Sequence, residues 1–331
     1  MKPEPMTATR SAQSGQSFGA GRSVQHAVPS RWHVNNQNYV TKGFSDLDYG
    51  PGSAAWVGAA GLGLETLGGL YRFYQGKRTA RAAKESRDLA AGVEAATEFA
   101  FGSAMVQRFS QWAATTLGNE GLANSIGQFL APAMPAGFGL LFASKSLRLA
   151  QSLERPGITE SADHLGWMLT SAGWFSGSIS AYSGAAAALS TPLTASGLGL
   201  LTATQSKELV RSVVEKNSDR LVQSTGMLAM NTGIAMFMMG LPLVGAGVML
   251  FGLAPLLLQG NQAVRSRIDP ALERAFDRIH TRLPKTMETL EAGFSRLDAW
   301  TERRVDPLKQ RLHRGLTRLF PVLRNCAAEA S

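Results

Sequence analysis

Two long blocks of this chain contain no charged residue, and this absence constrains the fold more than any other feature. Residues 165–206 and 221–264 have no Asp, Glu, Lys or Arg, although the whole chain carries 33 Lys and Arg and 24 Asp and Glu. Each block is about twice the ~20 residues with which a helix crosses the hydrocarbon core of a bilayer. Each block is therefore long enough to cross a membrane and return.

A proline near the centre of each block predicts where the chain turns. Pro192 lies in the first block, and Gly240 and Pro242 lie in the second. A helix tends to end or kink before a proline, because the ring removes a backbone donor and clashes with the preceding turn. We expect each block to form two antiparallel helices, with the hairpin turns at Pro192 and Pro242.

A Gly-x-Gly step recurs in the second arm of each predicted hairpin and is followed by polar and basic residues. Small residues at such positions let two helix backbones approach closely. The recurrence predicts a degenerate repeat, in which a single arm near Gly61 and Gly63 precedes three hairpins. Gly173 and Gly177 belong to a separate row of small residues at four-residue spacing in the middle hairpin. The glycines that we expect to pack the helices together are Gly137, Gly139, Gly173, Gly177, Gly197, Gly199, Gly245 and Gly247.

Basic residues follow the second arms, whereas the turns inside the hairpins are nearly uncharged. The connections contain residues such as Lys145, Arg148, Lys207 and Arg211, and the turns contain only Glu120. In an up-and-down arrangement all of these connections fall at one end. Such an excess of Lys and Arg on one side is typical of membrane proteins.

Two ionisable residues interrupt the weakest arms. Glu65 and Arg108 lie within segments that are otherwise apolar or small. An ionised group at the middle of a bilayer costs several kcal/mol on most scales. We therefore expect these two arms to lie at the interface or to pack inside the bundle.

The two ends of the chain differ from its middle. Residues 5–45 include no acidic residue and are rich in Ser, Gln, Gly and Asn, which predicts disorder. From residue 268 onward, apolar residues recur at three- and four-residue steps between charges, which predicts amphipathic, coiled-coil-like helices. The predicted organisation is a disordered polar tail over 1–50, membrane-embedded hairpins over 51–264 and amphipathic helices over 265–331.

No constellation typical of catalysis, a cofactor or a metal stands out in the sequence. The five histidines are scattered, and the single cysteine, Cys326, excludes an internal disulfide and a Cys-based zinc site. The step Gly76-Lys77 lacks the upstream glycine that a phosphate loop requires. We expect a protein that is not an enzyme and that uses no cofactor or metal ion.

The net charge of +9 predicts an anionic partner. The expected partners are the lipid bilayer with its anionic headgroups and a protein bound through the C-terminal helices; self-association is left open. The basic tail lacks interleaved aromatic residues, so we expect no nucleic acid. The residues expected to contact a partner or lipid are Arg303, Arg304, Lys309, Arg311, Arg314 and Arg318.

These features predict an all-α, multi-spanning membrane protein without enzymatic activity. The layout of hairpins, polar head and charged helical tail resembles that of bacterial secreted effectors and translocators that insert helical hairpins into a host membrane. The resemblance implies membrane insertion and partner binding, in a bacterial inner membrane or a host-cell membrane. A channel or transporter formed by the hairpins and a soluble helical bundle are the alternatives.

Overall fold

Helices make up nearly all of the described chain in a computed structural model. It describes residues 55–155, 157–180, 182–239, 241–258 and 262–319. The tail predicted over 1–50 and Cys326 lie outside these ranges. No strand occurs within them, which confirms the all-α prediction. The first helices are α1 (Ala55–Ser86), α2 (Leu89–Thr116), α3 (Glu120–Ser152), α4 (Thr159–Ser178), α5 (Gly184–Val214), α6 (Ser218–Met238) and α7 (Pro242–Leu258).

Helices α1 to α7, called the bundle below, run up and down, and each packs against the one before it. Short polar side chains begin several of them. Asp88, Asn119 and Ser183 precede α2, α3 and α5, and each accepts a hydrogen bond from a backbone N–H two or three residues ahead. Gly118 has a φ of 74°, which favours glycine, and it forms the tight turn between α2 and α3.

The turn in the first charge-free block is not at Pro192, so that prediction is wrong. α4 ends at Ser178 and α5 begins at Gly184, which places Pro192 inside α5. Ser183 caps the new helix, whereas Pro192 removes only one hydrogen bond from a long helix that packs along α4. In the second block, Pro242 is the first residue of α7, where a proline costs no helical hydrogen bond.

An aromatic cluster holds the middle of the bundle together. The rings of Phe101 and Phe138 lie 4.9 Å apart between centroids, and those of Phe138 and Trp174 lie 5.6 Å apart. These residues come from α2, α3 and α4, and Ile234 of α6 packs against them. α6 therefore closes on the same core as the earlier helices.

The C-terminal helices fold over one end of the bundle, and we call them the cap. His280 lies 2.9 Å from the carbonyl oxygen of Val213 at the end of α5, and Arg211 pairs with Asp298 at 3.4 Å. The cap therefore covers the end at which α5 passes to α6. It consists of α8 (Gln262–Arg282), α9 (Pro284–Trp300), a π-helical turn (Thr301–Val305) and α10 (Asp306–Leu319).

Candidate membrane interface

Glycines let α4 and α5 cross in close backbone contact. A Cβ atom added to Gly173 would lie 2.5 Å from the backbone nitrogen of Thr194. One added to Gly197 would lie 2.5 Å from the backbone nitrogen of Thr170. Real Cβ atoms do not come this close to other heavy atoms, so only glycine fits at either position.

The same crossing occurs in α1 with α2 and in α6 with α7. An added Cβ on Gly233 would meet the carbonyl oxygen of Gly245 at 2.7 Å, and one on Gly69 would meet that of Gly102 at 3.1 Å. A seven-residue spacing keeps one seam turned toward the partner helix. Gly69 and Gly76 of α1 meet Gly102 and Ala95 of α2. Gly166 and Gly173 of α4 meet Gly197 and Ser190 of α5. Gly226 and Gly233 of α6 meet Gly252 and Gly245 of α7.

Sequence reasoning missed this seven-residue pattern and chose the Gly-x-Gly steps instead. Residues two apart do not share a face of a helix. Gly197 and Gly245 face the partner helix, whereas Gly199 and Gly247 are exposed, with no atom within 4 Å of an added Cβ. The prediction that Gly199 and Gly247 pack helices together is wrong.

Gly137 and Gly139 both approach neighbours, because α3 lies between two helices. An added Cβ on Gly137 would lie 3.3 Å from Phe101 of α2, and one on Gly139 would lie 3.5 Å from Phe175 of α4. Gly177 is also buried, near the end of α4. α3 therefore uses opposite faces for the two contacts.

Small side chains with hydroxyl groups line the centre of the crossing of α4 and α5, and Leu201 of α5 packs against Gly166 beside them. Thr170, Ser190 and Thr194 are each 0 % exposed. The two threonines donate to carbonyl oxygens four residues earlier at 2.9 Å, and Ser190 donates across the crossing to the carbonyl oxygen of Gly173 at 2.8 Å. Small residues with internally satisfied hydroxyls are typical of helix contacts in lipid.

Large apolar side chains lie on the outside of the bundle. Phe129 on α3 is 66 % exposed and Phe251 on α7 is 65 % exposed. Extended exposed apolar surface is typical of proteins that contact a membrane or another protein. The exposed apolar and aromatic side chains include Leu67, Leu70, Tyr71, Tyr74, Leu122, Phe129, Leu189, Val244, Leu250 and Phe251.

Two described helices, α3 and α5, are long and apolar enough to cross a membrane. Only 19 % of the apolar window of α3 and 33 % of that of α5 are buried within the protein. A core helix of a soluble protein is mostly buried. α7 is apolar but has 17 residues. Among the described helices only these two pass the test of length and composition, so the multi-spanning arrangement stays a prediction.

Ion pairs between helices gather at the end that the cap covers. Lys145 pairs with Glu94 at 2.7 Å, and Arg148 pairs with Asp88 at 2.7 Å. Burial raises the pKa of Asp88, but Arg148 and the hydrogen bonds to the carboxylate outweigh burial, so this pKa lies below its ordinary value. At the opposite end, the sequence places only Glu120 beside the turns.

Glu65 and Arg108, the two ionisable residues of the weakest arms, form a buried ion pair. Their side chains are 1 % and 5 % exposed, and the Oε1 and Nη1 atoms lie 2.5 Å apart between α1 and α2. Each neutralises the other away from solvent. Sequence reasoning found both residues but not the pair, because they lie on different helices.

Lys309 does not face a partner or lipid, so that prediction is wrong. It is 6 % exposed, and its ammonium donates to the carbonyl oxygens of Arg155 and Gly157 between α3 and α4. Burial lowers the pKa of Lys309 below its ordinary value, although Asp306 and Glu160 oppose that shift. The buried ammonium satisfies carbonyl groups that follow the end of α3.

His313 completes this docking of α10. Its Nδ1 lies 3.2 Å from the carbonyl oxygen of Ala150, and its Nε2 lies 2.8 Å from Oε1 of Glu154. Both ring nitrogens therefore face acceptor oxygens of α3 and the residues that follow it. The other basic residues predicted to contact a partner or lipid are exposed: Arg303, Arg304, Arg311, Arg314 and Arg318.

These features define an antiparallel helical bundle with small-residue crossings, many exposed apolar side chains and one charged, capped end. In the described residues, no group of His, Cys, Asp or Glu is placed to hold a metal ion. Comparison with family models, curated proteins and solved structures found no match to this chain. Its function therefore has to be inferred from its own geometry.

Proposed function

We propose that the protein is a non-enzymatic integral membrane protein that inserts its bundle into a bilayer and presents its cap to a protein partner. The distribution of side chains carries this proposal, since glycines and hydroxyls line the helix crossings while many large apolar side chains, such as Phe129, Leu189 and Phe251, are exposed on the outside. That exterior is unfavourable in water and compatible with hydrocarbon. The layout resembles that of secreted effectors and translocators, so the membrane is a bacterial inner membrane or a host-cell membrane.

Helix length supports an orientation. α3 has 33 residues and measures about 50 Å at 1.5 Å per residue, compared with ~30 Å for the hydrocarbon core. The part of α3 that exceeds the hydrocarbon thickness corresponds to its charged end, which includes Lys145 and Arg148. In this arrangement α3 and α5 cross the lipid, the other bundle helices pack beside them, and the cap lies at one surface.

The charge of α8 and α9 suits a protein partner. Residues 262–300 carry seven basic and six acidic residues. Leu283, Leu297 and Trp300 are exposed among them. Balanced charge around apolar and aromatic contacts is typical of a protein-binding surface.

Single cysteines test the insertion. In a Cys326→Ser background, Glu85→Cys marks the charged end and Tyr182→Cys marks a turn at the opposite end. In proteoliposomes that resist carbonate extraction, we expect a membrane-impermeant maleimide to label the two sites from opposite faces. Extraction by carbonate, with both sites labelled from outside, would instead establish a soluble bundle.

A channel or transporter is the second candidate, and a buried polar group favours it. Asn231 of α6 is 1 % exposed, and neither atom of its amide has a hydrogen-bond partner in the described protein. Such a group calls for an explanation, and a polar ligand or solute is one. Solute flux in proteoliposomes that Asn231→Leu abolishes would favour transport; no flux would favour the first proposal.

A further inference from the structure

One face of α10 contacts the bundle, whereas the neighbouring face is exposed. Lys309 and His313 contact the carbonyl oxygens at and after the end of α3, and Asp306 accepts from the backbone N–H of Gly157 at 3.3 Å. Leu308 and Leu312, one turn apart, are 61 % and 55 % exposed. α10 therefore buries polar residues against the bundle and exposes Leu308 and Leu312.

Basic side chains lie beside these leucines. Leu308, Arg311, Leu312 and Gly315 recur at three- and four-residue steps, so they share one side of the helix, and Arg318 lies one turn further on. All five are exposed. Leucines next to arginines are typical of a helix that lies in the headgroup region of a membrane.

The net charge of residues 301–319 indicates which kind of partner surface α10 binds. Residues 301–319 carry six basic and two acidic residues, whereas residues 262–300 are nearly balanced. A cationic surplus beside exposed leucines complements anionic lipid headgroups, to which each Lys or Arg near the surface is strongly attracted. α10 therefore differs in its partner from α8 and α9.

We propose that α10 is an interfacial helix that binds an anionic lipid surface through Leu308, Leu312, Arg311 and Arg318. The docked Lys309 holds the helix at the charged end of the bundle. Insertion of the bundle, the function proposed above, brings that end to the level of the headgroups, so this role of α10 rests on that function. The leucines enter the boundary of the acyl chains, and the arginines contact phosphate and carboxylate groups.

An environment-sensitive fluorophore tests this contact. In a Cys326→Ser background, the nitrobenzoxadiazole label is attached to Leu312→Cys, and proteoliposomes of phosphatidylcholine alone are compared with ones that include phosphatidylserine. We expect blue-shifted, brighter emission with phosphatidylserine, and loss of that change at high salt. A label at Leu283→Cys, an exposed leucine outside α10, should not change.

Arginine variants measure the charge contribution. Arg311→Gln and Arg318→Gln, in the labelled protein with unchanged circular dichroism, should each lower the ratio of lipid-bound to free α10 about fivefold. Ratios equal to that of the parent would overturn the role of the arginines. Polyglutamate that produces the same emission change in phosphatidylcholine vesicles would identify an acidic polypeptide as the partner and overturn the lipid assignment.

Carbonate extraction of the same proteoliposomes separates the two proposals. Resistant protein with identical emission in both lipids overturns the role of α10 and leaves insertion standing. Release by carbonate together with a phosphatidylserine-dependent emission change overturns insertion but supports lipid binding by α10. Release with no emission change overturns both.

Discussion

The bundle and the cap differ in how their helices contact their neighbours. In the bundle, glycines and hydroxyls meet at the crossings, and many large apolar side chains, such as Phe129 and Phe251, face outward around the buried aromatic cluster. In the cap, Phe276 and Met287 are buried, and ion pairs join its helices to the bundle. A helix in water gains stability by burying its apolar stripe, whereas a helix in lipid packs through small residues. The contrast teaches that one chain can be suited to two solvents in two regions.

The largest expected change in the free energy of unfolding comes from breaking the ion pair inside the bundle. Arg108→Met should lower the free energy of unfolding by about 3–5 kcal/mol, because it leaves the Glu65 carboxylate buried without its counter-charge. Adding Glu65→Gln should recover much of that loss. Chemical unfolding in detergent, followed by circular dichroism, measures both variants.

A less buried ion pair provides the control for this prediction. Arg72 pairs with Glu98 at 3.0 Å, and their side chains are 34 % and 22 % exposed. The Arg72 guanidinium also lies 5.2 Å from the centroid of the Phe101 ring. Arg72→Met should therefore cost about 1–2 kcal/mol, less than Arg108→Met. Equal losses for Arg72→Met and Arg108→Met would mean that the bundle interior does not differ from a solvated surface.

The next effect concerns the crossings. Gly173→Ala and Gly197→Ala should each lower the free energy of unfolding by about 1–3 kcal/mol, because the new Cβ overlaps the backbone of the opposite helix. Gly199→Ala, at an exposed position of the same helix as Gly197, should raise it by up to about 1 kcal/mol. The same unfolding assay measures all three, and a matching loss for Gly199→Ala would contradict the crossing geometry.

A smaller effect concerns the docking of the cap. Lys309→Met should weaken the contact of α10 with the bundle by about 1–3 kcal/mol, because two carbonyl oxygens lose a charged donor. Hydrogen exchange should then become faster in α10 and stay unchanged in α4 and α5. Gln310→Met, at an exposed site of α10 outside the proposed lipid-binding residues, should leave both rates unchanged. Faster exchange in α4 would show that cap and bundle open together.

The smallest expected effect concerns the pH dependence of stability, which arises from Asp88 at the charged end of the bundle. The pKa of Asp88 is lower in the folded protein, so its charge stabilises the fold above the ordinary carboxylate pKa, and this contribution is lost as the pH falls through the folded value. Asp88→Asn keeps an N-capping side chain but loses the pairing with Arg148. Thermal unfolding between pH 7 and acidic pH should show a flatter dependence for this variant, with a difference below about 1 kcal/mol. An unchanged profile would contradict the assigned pairing.

Much of the fold could be predicted from local patterns. The helical class is confirmed, and the basic residues Lys145 and Arg148 lie at one end of the bundle because antiparallel helices return every second connection to the same side. The sidedness of that end relative to a membrane stays a prediction. The position of the first turn could not be read from Pro192, because helix packing outweighs one lost hydrogen bond.

The sequence by itself determined where charge is absent, and hence which stretches become long apolar helices with charged connections. Only the tertiary structure decided which glycines meet, that Glu65 finds Arg108, and that Lys309 turns inward. The physical reason is the sequence distance over which each interaction acts. Helix formation depends on neighbours within about four residues, whereas crossings, buried ion pairs and docked ammonium groups join residues from different helices whose rotation is set by packing.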